Sequence, residues 1–129
     1  MTEDLIRVLV VDDHEIVRKN IAGLLRREKD IEVIGTAADG REAIELAHDM
    51  EPDVIVMDVF MPELDGIRAA RAIRDLHIHS RVIILSMHHN TALVQQARKS
   101  GVSGYVIKQE ATHNLIPAIH AVHDGRLVL

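Results

Sequence analysis

The chain has 129 residues, which suits a single domain, and its hydrophobic fraction of 47% is enough for one compact core. The absence of cysteine excludes a disulfide framework and a thiolate metal site, and a formal net charge of -5 without a basic block argues against direct nucleic-acid binding by this segment. Because neither a signal peptide nor an apolar run near the ~20 residues that span a bilayer is present, we expect a cytoplasmic protein without membrane contact.

Five short apolar runs, rich in valine and isoleucine, predict β-strands, and the segments between them have helical spacing. In chain order, the predicted strands are residues 6–11, 31–36, 54–57, 82–85 and 104–107. Strand followed by helix, five times over, indicates a doubly wound α/β domain, a parallel sheet with helices on both faces. The central runs lack polar alternation, as expected for strands that are covered on both sides.

The sequence indicates where the first and last predicted helices begin. The first, about residues 14–27, places Val17, Ile21, Leu24 and Leu25 on one face. The last contains a proline, and we place its N-cap at Asn114. Pro117 would then be the third helical residue, where a missing N–H costs no hydrogen bond.

Chemically useful side chains follow four of the predicted strands. Asp12 and Asp13 follow the first strand, Asp58 the third, Ser86 the fourth and Lys108 the fifth. Singly, each has an ordinary explanation as a turn, a helix cap or a surface residue. Ligand sites of open parallel sheets lie beyond the carboxyl ends of the strands, so the occurrence of all five at that edge favours a shared site.

Three converging carboxylates repel one another unless a divalent cation lies between them. Asp58 also ends the apolar run Val54-Ile55-Val56-Met57, where a buried carboxylate is costly unless it is used. The pattern therefore predicts a Mg²⁺ site beside a carboxylate that can act as a nucleophile.

Four motifs carry a resemblance to a known family. They are Val-Val-Asp-Asp-His at 10–14, Met-Asp-Val-Phe-Met-Pro-Glu-Leu-Asp-Gly at 57–66, Leu-Ser-Met-His at 85–88 and Gly-Tyr-Val-Ile-Lys at 104–108. Together they resemble the receiver domains of bacterial two-component response regulators, in particular those of the NarL/FixJ (LuxR-type) transcription factors. The resemblance implies a CheY-like (flavodoxin-like) (βα)5 fold whose five-stranded parallel sheet has the order 2-1-3-4-5.

The resemblance also implies roles for the site residues. Asp58 would be the phosphoacceptor. Asp13 and Asp58 would bind Mg²⁺ directly, Asp12 through water, and the backbone carbonyl of Phe60 would supply another oxygen. Lys108 would pair with the phosphoryl group.

A conformational switch is implied by the same resemblance. The Ser86 hydroxyl would bond the phosphoryl group, and Tyr105, near the fifth strand, would rotate inward as Ser86 moves. The alternative for Tyr105 is a half-exposed ring with its hydroxyl in water. The chain departs from many receivers at Lys108-Gln109, where Lys-Pro with a cis bond is common, and we expect a trans bond here. Met87 departs as well, and we expect it to narrow access to the site.

Residues 1–129 would form the receiver domain, and the resemblance implies a DNA-binding, helix-turn-helix output domain C-terminal to it. The implied partners are a sensor histidine kinase and a second copy in a weak or phosphorylation-dependent homodimer. The apolar residues Leu127-Val128-Leu129 either pack back on the domain or, as we favour, lead into a longer protein.

Other functions compete with this interpretation. A phosphatase working through aspartyl phosphate needs an acid two residues after the nucleophile, where this chain has Phe60. In a flavin- or nucleotide-binding module the first loop holds phosphate, but Asp12-Asp13-His14-Glu15 would repel an anion. A phosphorylation-independent, receiver-like interaction scaffold is disfavoured by the complete acidic set.

Overall fold

Apolar, β-branched runs and amphipathic segments fold into five strands and five helices in the computed structural model, which describes residues 4–129. The strands are β1 (Ile6–Val11), β2 (Ile31–Ala37), β3 (Val54–Asp58), β4 (Arg81–Ser86) and β5 (Gly104–Ile107). The helices are α1 (Glu15–Arg26), α2 (Gly40–Met50), α3 (Gly66–Asp75), α4 (Thr91–Lys99) and α5 (Ala111–His123). The sheet is parallel with the order β2-β1-β3-β4-β5, which confirms the predicted fold.

The strand bounds differ little from the prediction. β1 and β5 begin and end where expected, whereas β2, β3 and β4 extend by one residue at one or both ends. The extensions matter because they bring Asp58 and Ser86 into the sheet, opposite Leu85 and Ile107 respectively. The parallel ladder therefore fixes the backbone of both residues.

Two apolar layers cover the sheet. Because successive strand residues point to opposite faces, Leu9 and Ile55 belong to the layer packed by α2, α3 and α4. Val8 and Val54 belong to the layer packed by α1 and α5. Across residues 4–129 the structure has no helix of the length and apolarity that a membrane span requires.

The loop after Asp58 folds back tightly on β3. A Cβ on Gly66 would lie 2.0 Å from the backbone oxygen of Asp58, so no other residue fits there without a shift of the backbone. The Gly66 N–H donates to the Val59 carbonyl at 2.8 Å, and the Asp65 carboxylate caps α3 through the Arg68 N–H at 2.9 Å. These contacts hold the end of β3 in place.

The predicted start of α5 is wrong. A 3-10 turn at Lys108–Glu110 leads directly into the helix, so α5 begins at Ala111 and Pro117 lies in its interior. The structure tolerates the proline because Pro117 and His113 are both exposed, and water can bond the His113 carbonyl that loses its N–H donor. Burial of the apolar face of α5 outweighs the local cost. The Lys108–Gln109 bond is trans, as expected, since the described residues contain no cis peptide.

Val128 and Leu129 pack back on the domain, as one of the two explanations predicts, and the continuation into a longer protein stays a prediction. Gly125, with φ of +92°, ends α5 in a left-handed turn in which the Arg126 N–H bonds the Ala121 carbonyl at 2.9 Å. Val128 then forms a parallel bridge with Gly104 at the outer edge of β5.

Candidate functional site

The register of the sheet brings the acidic side chains together. Val11 lies opposite Met57 in the β1–β3 ladder, so the residues that follow, Asp12 and Asp58, emerge side by side. Both are buried, and Asp13 is partly buried beside them. One oxygen from each carboxylate and a ring nitrogen of His14 all lie within 4.8 Å of one another. The three predicted acids therefore meet, and they form a group that could hold a metal ion.

Lys108 reaches this group from the end of β5. Its Nζ donates to Asp12 Oδ2 at 2.9 Å and lies 3.2 Å from Asp58 Oδ1, with the side chain only 13% exposed. The sequence predicted Lys108 at this edge but not its contact with Asp12, because a long side chain can point in many directions from one strand end. The ammonium partly neutralises the two carboxylates.

Burial sets the protonation energetics of Asp58. Loss of solvent raises the pKa of its carboxyl above the ordinary value; the positive charge of Lys108 opposes this, and repulsion from Asp12 and Asp13 adds to it. Burial alone would lower the pKa of Lys108, but its bond to Asp12 and the charge of Asp58 raise it on balance. The charge of Lys108 therefore offsets only part of the desolvation cost of the Asp58 carboxylate, and a second cation would stabilise that carboxylate.

Asp13 offers a buried oxygen that suits a cation or a hydrogen-bond donor. Its Oδ1 is buried and has no hydrogen-bond partner among residues 4–129. His14 Nδ1 lies 3.2 Å away, close enough for an ion pair but not placed to donate a hydrogen bond. A buried carboxylate oxygen without a partner is costly, and a divalent cation would satisfy it. No role for His14 follows from the sequence alone.

Ser86 and Tyr105 meet at the backbone of His88. The buried Ser86 Oγ accepts the His88 N–H at 3.3 Å, and the Tyr105 hydroxyl donates to the His88 carbonyl at 2.9 Å. The alternative of a half-exposed tyrosine with a hydrated hydroxyl is thus wrong, because the ring is only 9% exposed and its hydroxyl is bonded. The linking role of His88 has no signal in the sequence, since backbone atoms carry it.

Two apolar side chains are exposed in the loops beside the acids. Phe60, two residues after Asp58, is 61% exposed, and Met87, directly after Ser86, is 50% exposed. The exposed ring of Phe60 carries no group that could donate a proton.

Comparison with known proteins identifies relatives of this domain. The sequence profile of the response regulator receiver domain matches residues 8–120. The transcriptional regulatory protein LnrK of Bacillus subtilis is 34% identical over 125 residues, 97% of this chain and 57% of LnrK. The response regulator protein VraR of Staphylococcus epidermidis is 37% identical over 95% of this chain and 59% of VraR. The chain thus spans somewhat over half the length of these curated relatives.

A solved structure has the same fold. It is a two-component response regulator of the LuxR family from Aurantimonas, with a TM-score of 0.93 and 37% identity over 98% of this chain and 90% of that one.

Proposed function

Since the chain belongs to the response regulator receiver domain family, we propose that it is the phosphorylated switch of a two-component pathway in the cytoplasm. In this proposal Asp58 receives a phosphoryl group from a phosphohistidine of a sensor histidine kinase. The observation that carries the proposal is the convergence of Asp12, Asp13, Asp58 and Lys108 at the carboxyl edge of the sheet. Three buried or half-buried acids and one ammonium form a costly cluster unless it serves chemistry.

The donor set suits Mg²⁺. Asp13 and Asp58 would bind the ion directly, the Phe60 carbonyl would add a third protein oxygen, and Asp12 would reach it through water, which leaves positions for water and phosphoryl oxygens. The unpartnered Asp13 Oδ1 supports this assignment. When bound, the ion would screen the anionic phosphoryl group from the anionic nucleophile.

The residues of the chain can perform the transfer. An Asp58 carboxylate oxygen attacks phosphorus, the bond from phosphorus to the histidine nitrogen breaks, and the imidazole leaves with its electron pair. Lys108, already 3.2 Å from Asp58, would shift to the phosphoryl oxygens. The Ser86 hydroxyl accepts from His88 and keeps its own proton free to donate to the phosphoryl group. Hydrolysis of the resulting acyl phosphate would be the only other reaction that the domain promotes.

An output domain completes the proposed function. The matched relatives are longer than this chain, and LnrK is a transcriptional regulatory protein. We therefore assign residues 1–129 to the receiver domain of a longer regulator whose C-terminal domain binds DNA. A weak or phosphorylation-dependent homodimer of the receiver would complete the switch.

The first test measures phosphorylation of Asp58. Wild-type protein incubated with Mg²⁺ and acetyl phosphate, or with a phosphorylated kinase, should gain the mass of one phosphoryl group. Asp58→Asn should gain none, because an amide oxygen cannot replace the anionic nucleophile. Asp65→Asn is the matched control. It makes the same change at the end of the loop between β3 and α3, where asparagine can keep the helix cap, and it should be phosphorylated like the wild type.

Two outcomes would overturn the proposal. Persistent phosphorylation of Asp58→Asn would show that another residue is the acceptor. A wild-type domain that takes no phosphoryl group from any donor, with Mg²⁺ present, would leave the phosphorylation-independent scaffold as the function.

A further inference from the structure

His14 lies at the acidic site but belongs to none of the roles proposed so far. Its Nδ1 is 3.2 Å from Asp13 Oδ1 and 3.5 Å from Asp12 Oδ1. A ring nitrogen also lies within 4.8 Å of an oxygen of Asp58. The side chain is 70% exposed, so water surrounds most of the ring, and yet one edge of the ring lies beside the carboxylates.

The backbone of His14 is fixed on both sides. Its N–H donates to Asp12 Oδ1 at 2.9 Å, and its carbonyl accepts the Arg18 N–H at 2.9 Å. The Arg18 guanidinium also donates to the Asp12 carbonyl at 2.9 Å. These three bonds hold the turn between β1 and α1, so the direction in which the His14 side chain leaves the backbone is set.

The ring of His14 has no duty in the helix that it precedes. His14 is the N-cap residue of α1, but its side chain makes no capping hydrogen bond. The corresponding residues of three other helices do cap with their side chains, namely Asp39 for α2, Asp65 for α3 and Asn90 for α4. The imidazole nitrogen therefore stays available to a ligand at the acidic site.

The contact between His14 and Asp13 has the geometry of two ligands of one ion. Asp13 Oδ1 is buried and has no hydrogen-bond partner among residues 4–129, although Nδ1 of His14 is only 3.2 Å away. Two donor atoms that bind one tetrahedral Zn²⁺, each at about 2.0 Å, lie about 3.3 Å apart. The observed separation suits that arrangement.

An imidazole nitrogen changes which ion the donor set prefers. Mg²⁺ takes oxygen ligands and keeps several of its waters, whereas imidazole suits Zn²⁺ and similar transition ions. We propose that His14 is a metal ligand of this site and that it gives the site a preference for Zn²⁺ over Mg²⁺. The inference deepens the proposed function, since it rests on the metal site between the same carboxylates. Zn²⁺ bound there would exclude Mg²⁺, because both ions need Asp13 and Asp58.

NMR of the histidine ring nitrogens tests the ligation directly in the intact chain. One equivalent of Zn²⁺ should shift the ring nitrogen signals of His14, and the same amount of Mg²⁺ should leave them in place. In Asp13→Asn, which lacks one of the neighbouring carboxylates, the concentration of Zn²⁺ that shifts His14 should rise on the order of tenfold. If bound Zn²⁺ shifts only other histidines, the inference is wrong.

Isothermal titration calorimetry with Zn²⁺ and with Mg²⁺ measures the preference. His14→Ala should lower the ratio of Zn²⁺ affinity to Mg²⁺ affinity on the order of tenfold or more, since even groups that only support a ligand contribute about that much. His48→Ala is the matched control. His48 is also an exposed histidine whose Nδ1 lies beside a carboxylate, 3.1 Å from Asp49 Oδ1, but it is outside the acidic site. Its variant should keep the wild-type ratio.

The outcomes separate this inference from the proposed function. An equal ratio in His14→Ala and His48→Ala would overturn the inference. If Asp58 is phosphorylated but bound Zn²⁺ leaves the His14 ring unchanged, the inference fails and the proposed function stands. If Zn²⁺ binds His14 but no donor phosphorylates Asp58, the proposed function fails and the inference stands.

Discussion

Asp58 carries a charge where a charge is expensive. It is 5% exposed and lies beside Asp12 and Asp13, and Lys108 compensates only part of the cost, so the pKa of Asp58 stays raised. Such an electrostatic cost is common where a residue serves chemistry at the expense of stability. We therefore expect the free energy of unfolding to depend on the Asp58 carboxylate.

We predict that Asp58→Asn stabilises the domain by about 1 kcal/mol at pH 7 in buffer without divalent cations. The raised pKa means that Asp58 binds its proton more tightly in the folded state. Below the unfolded-state pKa near 3.8, Asp58 is protonated in both states and its charge does not lower the free energy of unfolding. As the pH rises through the folded-state pKa, Asp58 becomes charged and the free energy of unfolding falls. Urea unfolding from pH 3.5 to 7.5 should show the gain of the variant growing with pH.

Asp65→Asn should show no such pH-dependent gain, because Asp65 is a helix cap outside the acidic cluster. An Asp58→Asn domain that is less stable than the wild type at neutral pH would show that the carboxylate is well compensated.

Lys108 would compete with a bound Mg²⁺ for the same carboxylate oxygens. Since its Nζ contacts both Asp12 Oδ2 and Asp58 Oδ1, we predict that Lys108→Met binds Mg²⁺ on the order of tenfold more tightly. Isothermal titration calorimetry measures the change. The matched control is Lys19→Met, which removes a lysine paired with Glu15 on the exposed face of α1 and should leave the affinity unaltered. Equal Mg²⁺ affinity in all three proteins would contradict the competition.

At the scale of elements, α5 shows packing overriding local preference. Its buried residues recur at helical spacing on both sides of the proline, and they fix the helix through Pro117. The list is Ala111, Leu115, Ala118, Ile119 and Val122. The sequence predicts a helix start at Asn114, because a proline in the first turn costs no hydrogen bond. That prediction takes no account of the apolar face, which already begins at Ala111.

We predict that Pro117→Ala raises the free energy of unfolding by about 1–3 kcal/mol, because alanine restores an N–H for the His113 carbonyl and suits a helix interior. Thr112→Ala, also on the exposed side of α5, is the control and should gain about 0.5 kcal/mol from helix propensity alone. Guanidinium unfolding followed by circular dichroism measures both. A loss of stability in Pro117→Ala would mean that the proline shapes α5 in a way that its neighbours require.

Helix α4 buries fewer residues than the other four helices. Only Ala97 is buried along its nine residues, although Asn90 caps its start by accepting from the amides of Ala92 and Leu93. It follows the turn of Ser86 and His88 directly. An element with few buried side chains shifts at low cost, which suits the surface that the proposed switch would move.

At the scale of the molecule, binding of Mg²⁺ at the proposed site would be linked to folding. Asp12 and Asp13 come from the end of β1 and Asp58 from the end of β3, so the site exists only in the folded chain. We predict that Mg²⁺ at 100 times its Kd raises the free energy of unfolding by about 2.7 kcal/mol. Chemical denaturation at a series of Mg²⁺ concentrations checks this.

Two variants distinguish binding at the site from a general effect of the salt. Asp13→Asn should lose most of the stabilisation, since it removes one proposed ligand. Asp49→Asn, at an exposed position on α2, should keep it. Equal stabilisation of the two variants would place the ion elsewhere.

The sequence by itself determined the fold class, the strands to within one residue and the identity of the acids at the sheet edge. The spacing of apolar residues, the β-branched residues and the polar residues at strand ends are local properties of a sequence. The tertiary structure alone decided the contact of Lys108 with Asp12, the bonds of Ser86 and Tyr105 to His88, the continuation of α5 through Pro117 and the seating of Val128 on β5. These depend on side-chain direction and on backbone groups that every residue shares. Such features leave no mark in residue types, and they become definite only when distant segments pack together.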